Sequence, residues 1–392
     1  MAKQFDPRRV LKQVSNSMLQ QFFTRHGVLK DLAWEDLAET HIEPLFEAWQ
    51  QMPEGQRVAV QLILQDVNEL ADDRGLRVLA EEVQNGAPER VDEWSVLESQ
   101  RDKAMWVYLN LPEAFAEAAM FARADALAAG RYWVKRNSLP KQKPVADEGC
   151  RAALAQALSE YYWPTQLRGQ HCLVEHYQRA NGTDYFFAYL DDYPDRHLVF
   201  NESGEMVPRS DRYAFDNVFA YSPQDGTLEL YAHGGGEVTT ALQGLFCRTV
   251  LDTEIDPDDA AKAVYQLDQL KARSVRLPTD PADRIAEVRI RSLRLEVVGS
   301  PRRRITLDAD PRGERGDIHQ MIERYLNSER LPLSALRVIH VRIGLTFMAE
   351  DGVRPKTLTF NVSLNSCDLK SKTDDMRAVG ERCLKLWEVT HD

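Results

Sequence analysis

Three consecutive arginines are the densest positive charge in the sequence: Arg302, Arg303 and Arg304 directly follow a Gly-Ser-Pro turn at residues 299–301. Guanidinium groups bind carboxylates and phosphates through paired hydrogen bonds, and a two-stranded ribbon can present them to a nucleic-acid groove. Three more arginines precede the turn, on the predicted partner strand: Arg289, Arg291 and Arg294. This basic hairpin is therefore predicted to bind nucleic acid or an acidic protein partner. The alternative is a solvated tip whose charge neighbouring carboxylates neutralise.

The positive charge is local, because the chain as a whole is acidic. Its formal net charge is −12, yet residues 271–304 contain ten Lys or Arg and four Asp or Glu, a local charge of +6. Just upstream, five carboxylates lie within residues 252–259. Such a chain is not expected to coat nucleic acid, so any binding of a polyanion should be confined to the basic segment.

Carboxylates of the middle part of the chain suggest a different chemistry. Metal-dependent nucleases need two or three acidic side chains that hold a metal, with a lysine nearby to stabilise the phosphate. The candidate acidic residues are Asp184, Asp191, Asp192, Asp195, Asp211, Asp216, Asp225 and Glu229. The lysine expected two residues after Glu229 is Tyr231, and aspartate is also common in turns. A nuclease-type hydrolase is therefore the alternative function, and a binding protein is the leading one.

Other catalytic and cofactor motifs have little support in the sequence. The His-Gly-Gly-Gly run at residues 233–236 could supply oxyanion-hole amides, but no Gly-x-Ser-x-Gly turn provides a nucleophile. The sequence contains neither a Gly-x-x-x-x-Gly-Lys-Ser/Thr loop nor a Gly-x-Gly-x-x-Gly loop, the two glycine-rich motifs that bind nucleotides. Its nine histidines include no His-x-x-x-His pair of the kind that binds a metal. We therefore predict no cofactor and no metal, and favour a non-enzymatic protein.

The basic hairpin belongs to a unit that residues 286–387 contain twice, two strands followed by a helix. The first copy covers strands at 288–298 and 304–309 and a helix near 317–326; the second covers strands at 337–347 and 357–364 and a helix near 373–387. A fainter copy precedes them, with strands at 215–221 and 227–231 and a helix near 237–250. The alternative is three unrelated hairpin–helix segments.

Hydrophobic periodicity is the basis of these assignments. Leu358, Phe360 and Val362 alternate with polar residues, as half-buried strands do. In the following segments the apolar spacing changes to three and four residues, which is typical of amphipathic helices. The alternation changes phase between Arg291 and Leu293, which predicts a β-bulge there.

The remaining segments suggest a division of the chain into domains. Residues 1–130 show helical periodicity and predict a helical bundle, and residues 131–145, with five Lys or Arg and no acid, predict a basic linker. Residues 146–270 predict a helix, a β-meander with strands at 171–178, 184–190 and 197–200, and the fainter ββα unit, which is the first along the chain. Residues 271–392 form the duplicated part. The predicted fold class is α+β, with an N-terminal helical domain before an antiparallel α+β domain.

Composition bounds the class of protein. Hydrophobic residues make up 43% of the 392, and no run approaches the roughly 20 apolar residues of a membrane span. The start of the chain lacks an apolar signal segment, and five scattered cysteines favour a reducing compartment. Arginine outnumbers lysine 36 to 13, which favours a GC-rich bacterial genome. We expect a cytoplasmic adaptor of a bacterial multi-protein system, with a protein partner and about even odds of a nucleic-acid ligand.

Overall fold

A computed structural model describes the chain over residues 5–39, 41–128, 132–201, 203–256, 264–310, 317–327, 329–349 and 355–390. Within these ranges, five side chains lie outside the description: Pro301, Arg302, Lys370, Ser371 and Asp374. The chain forms two compact units. The first comprises residues 1–125 with 179–181, and the second comprises residues 126–178 with 182–392.

The N-terminal part of the chain is helical, as predicted. Its helices are α1 (Pro7–Leu11), α2 (Asn16–Arg25), α3 (Glu43–Gln50), α4 (Glu54–Leu70), α5 (Asp73–Gly86), α6 (Val91–Ser95), α7 (Gln100–Asn110) and α8 (Pro112–Ala128). The Asp72 side chain caps α5 by accepting hydrogen bonds from the first free amides of the helix, and Ser99 caps α7 in the same way. Apolar side chains spaced three and four residues apart, among them Leu64 and Val67 of α4, are fully buried. Within the described residues, no helix combines the length and apolar character that crossing a bilayer requires.

The second unit begins with a five-stranded antiparallel sheet in the order β1-β5-β4-β3-β2. Its elements are β1 (Trp133–Arg136), α9 (Glu148–Gln166), β2 (Cys172–Gln178), β3 (Asp184–Phe200), β4 (Met206–Ser222), β5 (Thr227–Tyr231) and α10 (Gly235–Val250). Helices α9 and α10 share one core with the sheet, in which Phe246 packs against Phe186 and Phe219. The strand predicted at 197–200 is not separate. It continues β3 beyond a register shift between Asp191 and Pro194.

The segment predicted as a basic linker takes part in this sheet. Its residues Trp133–Arg136 form β1, which pairs with β5 at the edge of the sheet. Arg136 is buried and donates hydrogen bonds to the side chain of Gln243 and to the backbone oxygen of Asp256, the latter at 2.8 Å. This arginine therefore has a structural role, because a buried guanidinium must be hydrogen-bonded.

The two C-terminal ββα units form a second antiparallel sheet in the order β7-β6-β8-β9. Its elements are β6 (Ile285–Val297), β7 (Ser300–Asp308), α11 (Asp317–Tyr325), β8 (Leu336–Phe347), β9 (Thr357–Ser363) and α12 (Asp374–Leu386). The first strand of each unit, β6 or β8, lies in the centre, and the two centre strands are antiparallel. The predicted duplication therefore forms one continuous sheet.

One face of this second sheet packs against α11 and α12. The predicted strand register is confirmed, because Ile343, Leu345, Phe360 and Val362 are fully buried while Thr359 and Asn361, on the other face, are partly exposed. The same core contains the apolar stripes of the helices, which include Ile318, Ile322, Cys383, Leu384 and Trp387. The opposite face, which we call the open face, is therefore the polar side of the sheet.

The predicted β-bulge is confirmed. Ile290 pairs with Ile343 and Ser292 pairs with Arg342, so Arg291 is an extra residue in β6. A second register shift follows in β8, because Arg294 pairs with His340 and Leu295 with Val338. The two shifts restore the alternation, so the apolar residues beyond each of them still face the helices.

Candidate interaction face of the second sheet

Strand pairing places the polar residues of four strands on the open face. Those on the outer strands are Arg304, Thr306 and Asp308 of β7 and Thr357, Thr359, Asn361 and Ser363 of β9. Those on the centre strands are Glu287, Arg289, Arg291, Ser292, Arg294 and Glu296 of β6 and Arg337, His340, Arg342, Gly344 and Thr346 of β8. The described side chains of this face include six arginines and three carboxylates, a formal charge of +3. The open face is thus locally positive in a chain of net charge −12.

Three exposed arginines of the face lie on its two centre strands: Arg294, Arg337 and Arg342. Arg342 is oriented by its neighbour on β9, because its Nε donates to Oδ1 of Asn361 at 3.2 Å. Asn361 is in turn fixed by Asp368, whose carboxylate accepts from the Asn361 backbone amide and side-chain Nδ2 at 2.8 and 2.7 Å. The guanidinium of Arg342 is therefore held in place with donors still facing solvent.

Two other arginines pair with carboxylates of the face. Arg289 Nε lies 2.8 Å from Oε2 of Glu287, and Arg304 Nε donates to Oε1 of Glu296 at 3.2 Å. The Arg304 side chain remains half exposed. These two pairs offset two of the three carboxylates of the open face.

Arg291 occupies the bulge and lies over Gly344, the residue of β8 without a side chain on this face. Its backbone oxygen accepts from the amide of Ala309 at 2.8 Å, which ties the bulge to the end of β7. Its Nε is buried and has no hydrogen-bond partner within the part of the chain that the structure describes. An unpaired buried donor is costly to the folded state.

His340 lies between Arg294 and Arg342 on the open face. It pairs with Arg294 across β6 and with Ser363 across β9, and it is two residues from Arg342 on the same strand. Burial lowers the pKa of His340 below its usual value of 6.5, and the charges of Arg294 and Arg342 lower it further. Two carboxylates, Asp368 and Asp308, act in the opposite direction. The imidazole is therefore neutral near pH 7, surrounded by positive charge.

The six arginines singled out in the sequence do not form one cluster. Arg289, Arg291, Arg294 and Arg304 lie on the open face, whereas Arg303 is exposed and has the strand position of Ile305 and Leu307, which face the helices. Neighbouring residues of a strand point to opposite faces, so consecutive arginines cannot share one. The side chain of Arg302 lies outside the described residues. Comparison of the chain with known protein families, curated proteins and solved structures finds no match.

Arg337 and Arg342 are the site residues that the sequence did not point to. They lie on β8, in the second ββα unit, and reach the basic hairpin only because β8 pairs with β6. The alternation in β8 did place Arg342 on the polar side of its own strand. No local feature of the sequence predicts the pairing of the two units, which brings Arg342 beside Arg294.

The carboxylates proposed for nuclease chemistry have structural partners. Asp184 is buried and accepts from His176 and Gln178, Asp225 accepts from Ser222, and Glu229 accepts from the indole of Trp133. No group of three or more His, Cys, Asp or Glu side chains among the described residues could hold a metal ion. These acids therefore offer no assembled metal site in that part of the chain.

Asp191 lines a shallow cavity of about 250 Å³ at the register shift of β3. Its carboxylate accepts from the backbone amide of His171 at 2.7 Å and from Nη1 of Arg212 at 3.2 Å. Burial acts to raise its pKa, but these hydrogen bonds outweigh burial and hold the pKa of Asp191 below its usual value. The carboxylate is thus an anion paired with His171 and Arg212.

Proposed function

We propose that this protein is a non-enzymatic binding subunit whose open face contacts an acidic protein partner. The observation that carries the proposal is the pairing of β6 with β8, which brings Arg337 and Arg342 onto the same sheet face as Arg294 and the other open-face arginines of the basic hairpin. Arginine is the side chain best suited to bind carboxylates at an interface, because its planar group forms two hydrogen bonds and is weakly hydrated.

A protein partner fits this face better than nucleic acid does. Glu287, Glu296 and Asp308 lie among the arginines and would repel a continuous phosphate backbone. Among the described side chains of the face, no Phe, Tyr or Trp is available to stack on bases. A protein surface can offer both carboxylates for the arginines and donors for the interleaved acids, as complementary interfaces do.

We further propose that the protein acts as an adaptor in a bacterial cytoplasm. The support is compositional: an excess of arginine over lysine and five scattered cysteines, all of them unpaired. An adaptor has at least two binding surfaces, and the open face would be one of them. Recovery of one partner by the tagged full-length protein from its native cells, lost on charge reversal of the open face, would support this role. Recovery that is unchanged by charge reversal would contradict it.

The direct test is charge reversal of two open-face arginines. The double variant Arg294→Glu, Arg342→Glu should bind a short poly-glutamate peptide at least about tenfold more weakly than the parent protein, in about 50 mM salt. The matched control is Arg324→Glu, Arg330→Glu, since these exposed arginines lie outside the open face, Arg324 on α11 and Arg330 in the loop after it. The control changes the net charge equally and should bind as the parent does.

The outcomes separate the candidate partners. One outcome is that the protein binds duplex DNA, single-stranded DNA or RNA more tightly than the acidic peptide and loses that binding in the Arg294/Arg342 variant. This result would identify the partner as a nucleic acid and not a protein. Equal weakening in both double variants would show that only net charge matters. Binding that neither variant changes, or no binding of any probe, would reject the open face as the contact surface.

A further inference from the structure

We infer that Arg294, His340 and Arg342 form an anion subsite that takes up a proton when a carboxylate of the partner binds. This inference rests on the proposed function and specifies the group that the open face recognises. It also adds a property that the arginines alone do not have, which is an affinity that depends on pH.

The geometry of the subsite follows from the strand register. Arg294 lies directly opposite His340, at the cross-strand separation of about 4.5–5.5 Å between Cβ atoms that is typical of antiparallel pairs. Arg342 follows two residues later on the same face, oriented by Asn361. Neither ring nitrogen of His340 has a hydrogen-bond partner in the described part of the chain, so both remain available. Two guanidiniums and an imidazole thus converge on one patch of the face.

The free protein keeps this imidazole neutral. Burial disfavours the charged ring, and so do Arg294 from β6 and Arg342 from β8. The carboxylates that face it are Asp308 on β7 and Asp368 beyond β9, and their attraction is the smaller effect. Additional negative charge beside His340 would therefore favour its protonation.

A bound carboxylate supplies that charge. It neutralises the repulsion from the two guanidiniums and accepts a hydrogen bond from the imidazolium, so it raises the pKa of His340. Binding of the anion and binding of the proton then favour each other by the same factor. Affinity should rise as the pH falls through the interval between the free and the bound pKa, by up to about tenfold for each unit that binding raises the pKa.

The test measures affinity and proton uptake with the full chain and a short poly-glutamate peptide. Between about pH 8 and pH 6 at constant ionic strength, the parent protein should bind about tenfold more tightly at the lower pH. His340→Gln should keep the affinity seen at high pH and lose most of the increase. The control His197→Gln changes a histidine of the β3–β4 hairpin, outside the open face, and should retain the parent profile. Calorimetry in two buffers of different ionisation enthalpy should record proton uptake by the parent and by the control.

The results that overturn the inference differ from those that overturn the proposed function. A parent affinity that does not change with pH, or a His340→Gln variant with the same pH profile as the parent, rejects the subsite while leaving the open face as the contact surface. Absence of binding at every pH rejects both.

Discussion

The side chain of Arg291 lies directly over Gly344. A Cβ built at position 344 would be 2.3 Å from Nε of Arg291, which is closer than real Cβ atoms approach other atoms. The bulge in β6 supplies the arginine, and the missing side chain in β8 supplies its space. Because the two residues belong to different ββα units, this contact links the halves of the duplicated sheet at the open face.

Gly344→Ala should displace Arg291 and weaken binding of an acidic peptide by about three- to tenfold. The new methyl group meets the flexible end of an arginine, so the loss of stability should be small, on the order of 1 kcal/mol or less. Peptide titration and thermal unfolding measure the two effects. The control Gly55→Ala, in open space on α4, should leave binding unchanged. Unaltered affinity of Gly344→Ala would show that the position of Arg291 is irrelevant to the contact.

Trp387→Ala should destabilise the second unit by about 3–5 kcal/mol. Trp387 is 4% exposed, belongs to the core of the second sheet, and donates from Nε1 to the backbone oxygen of Pro278 at 2.8 Å. The substitution removes the indole and leaves that carbonyl without its donor. Thermal unfolding monitored by circular dichroism should show a clearly lower midpoint. A midpoint equal to that of the parent would mean that the C-terminal helix does not close this core.

Glu82 in α5 should make the stability of the first unit depend on pH. It is 2% exposed, and burial together with Glu117, opposed by Arg179, raises its pKa from 4.5 to about 7. Because the folded state holds this proton more tightly than the unfolded state, the contribution of Glu82 to stability is greatest below about pH 4.5 and is lost as the pH rises toward 7.

Glu82→Gln should remove this contribution, which we expect to be on the order of 1 kcal/mol after solvent screening around Glu117. Denaturant unfolding of the parent protein and of Glu82→Gln at several pH values between about 4.5 and 7 measures this contribution. The control Glu113→Gln, at an exposed position of α8, should keep the pH dependence of the parent. Parallel curves for the parent and Glu82→Gln would contradict the assignment of the proton to Glu82.

Local periodicity explains how much of the fold could be predicted. Alternation in β9 identified the buried face from Phe360 and Val362, and the phase change at Arg291 identified the bulge, because both signals depend only on neighbouring residues. The proximity of Arg294 and Arg342 could not be predicted in this way. It depends on pairing between strands of different units, which only the packed sheet determines.

Composition was a poorer guide than periodicity in the segment predicted as a basic linker. Five Lys or Arg without an acid predicted a basic linker at residues 131–145, but Trp133–Arg136 adds a strand to the first sheet, and Arg136 is buried. Composition does not reveal whether an arginine is exposed, since its long apolar stem can be buried when backbone and side-chain oxygens satisfy its head.

The most direct test of the open face is to locate the partner on the protein. A photo-crosslinking residue at Thr306, exposed on β7 across from Arg294, should capture a bound acidic peptide. The same residue at Glu323, exposed on α11 on the helical side of the sheet, should capture none. We predict crosslinks from position 306 that disappear when Arg294 and Arg342 are both changed to Glu. Crosslinks from position 323 alone, or from position 306 irrespective of those arginines, would contradict the proposed contact.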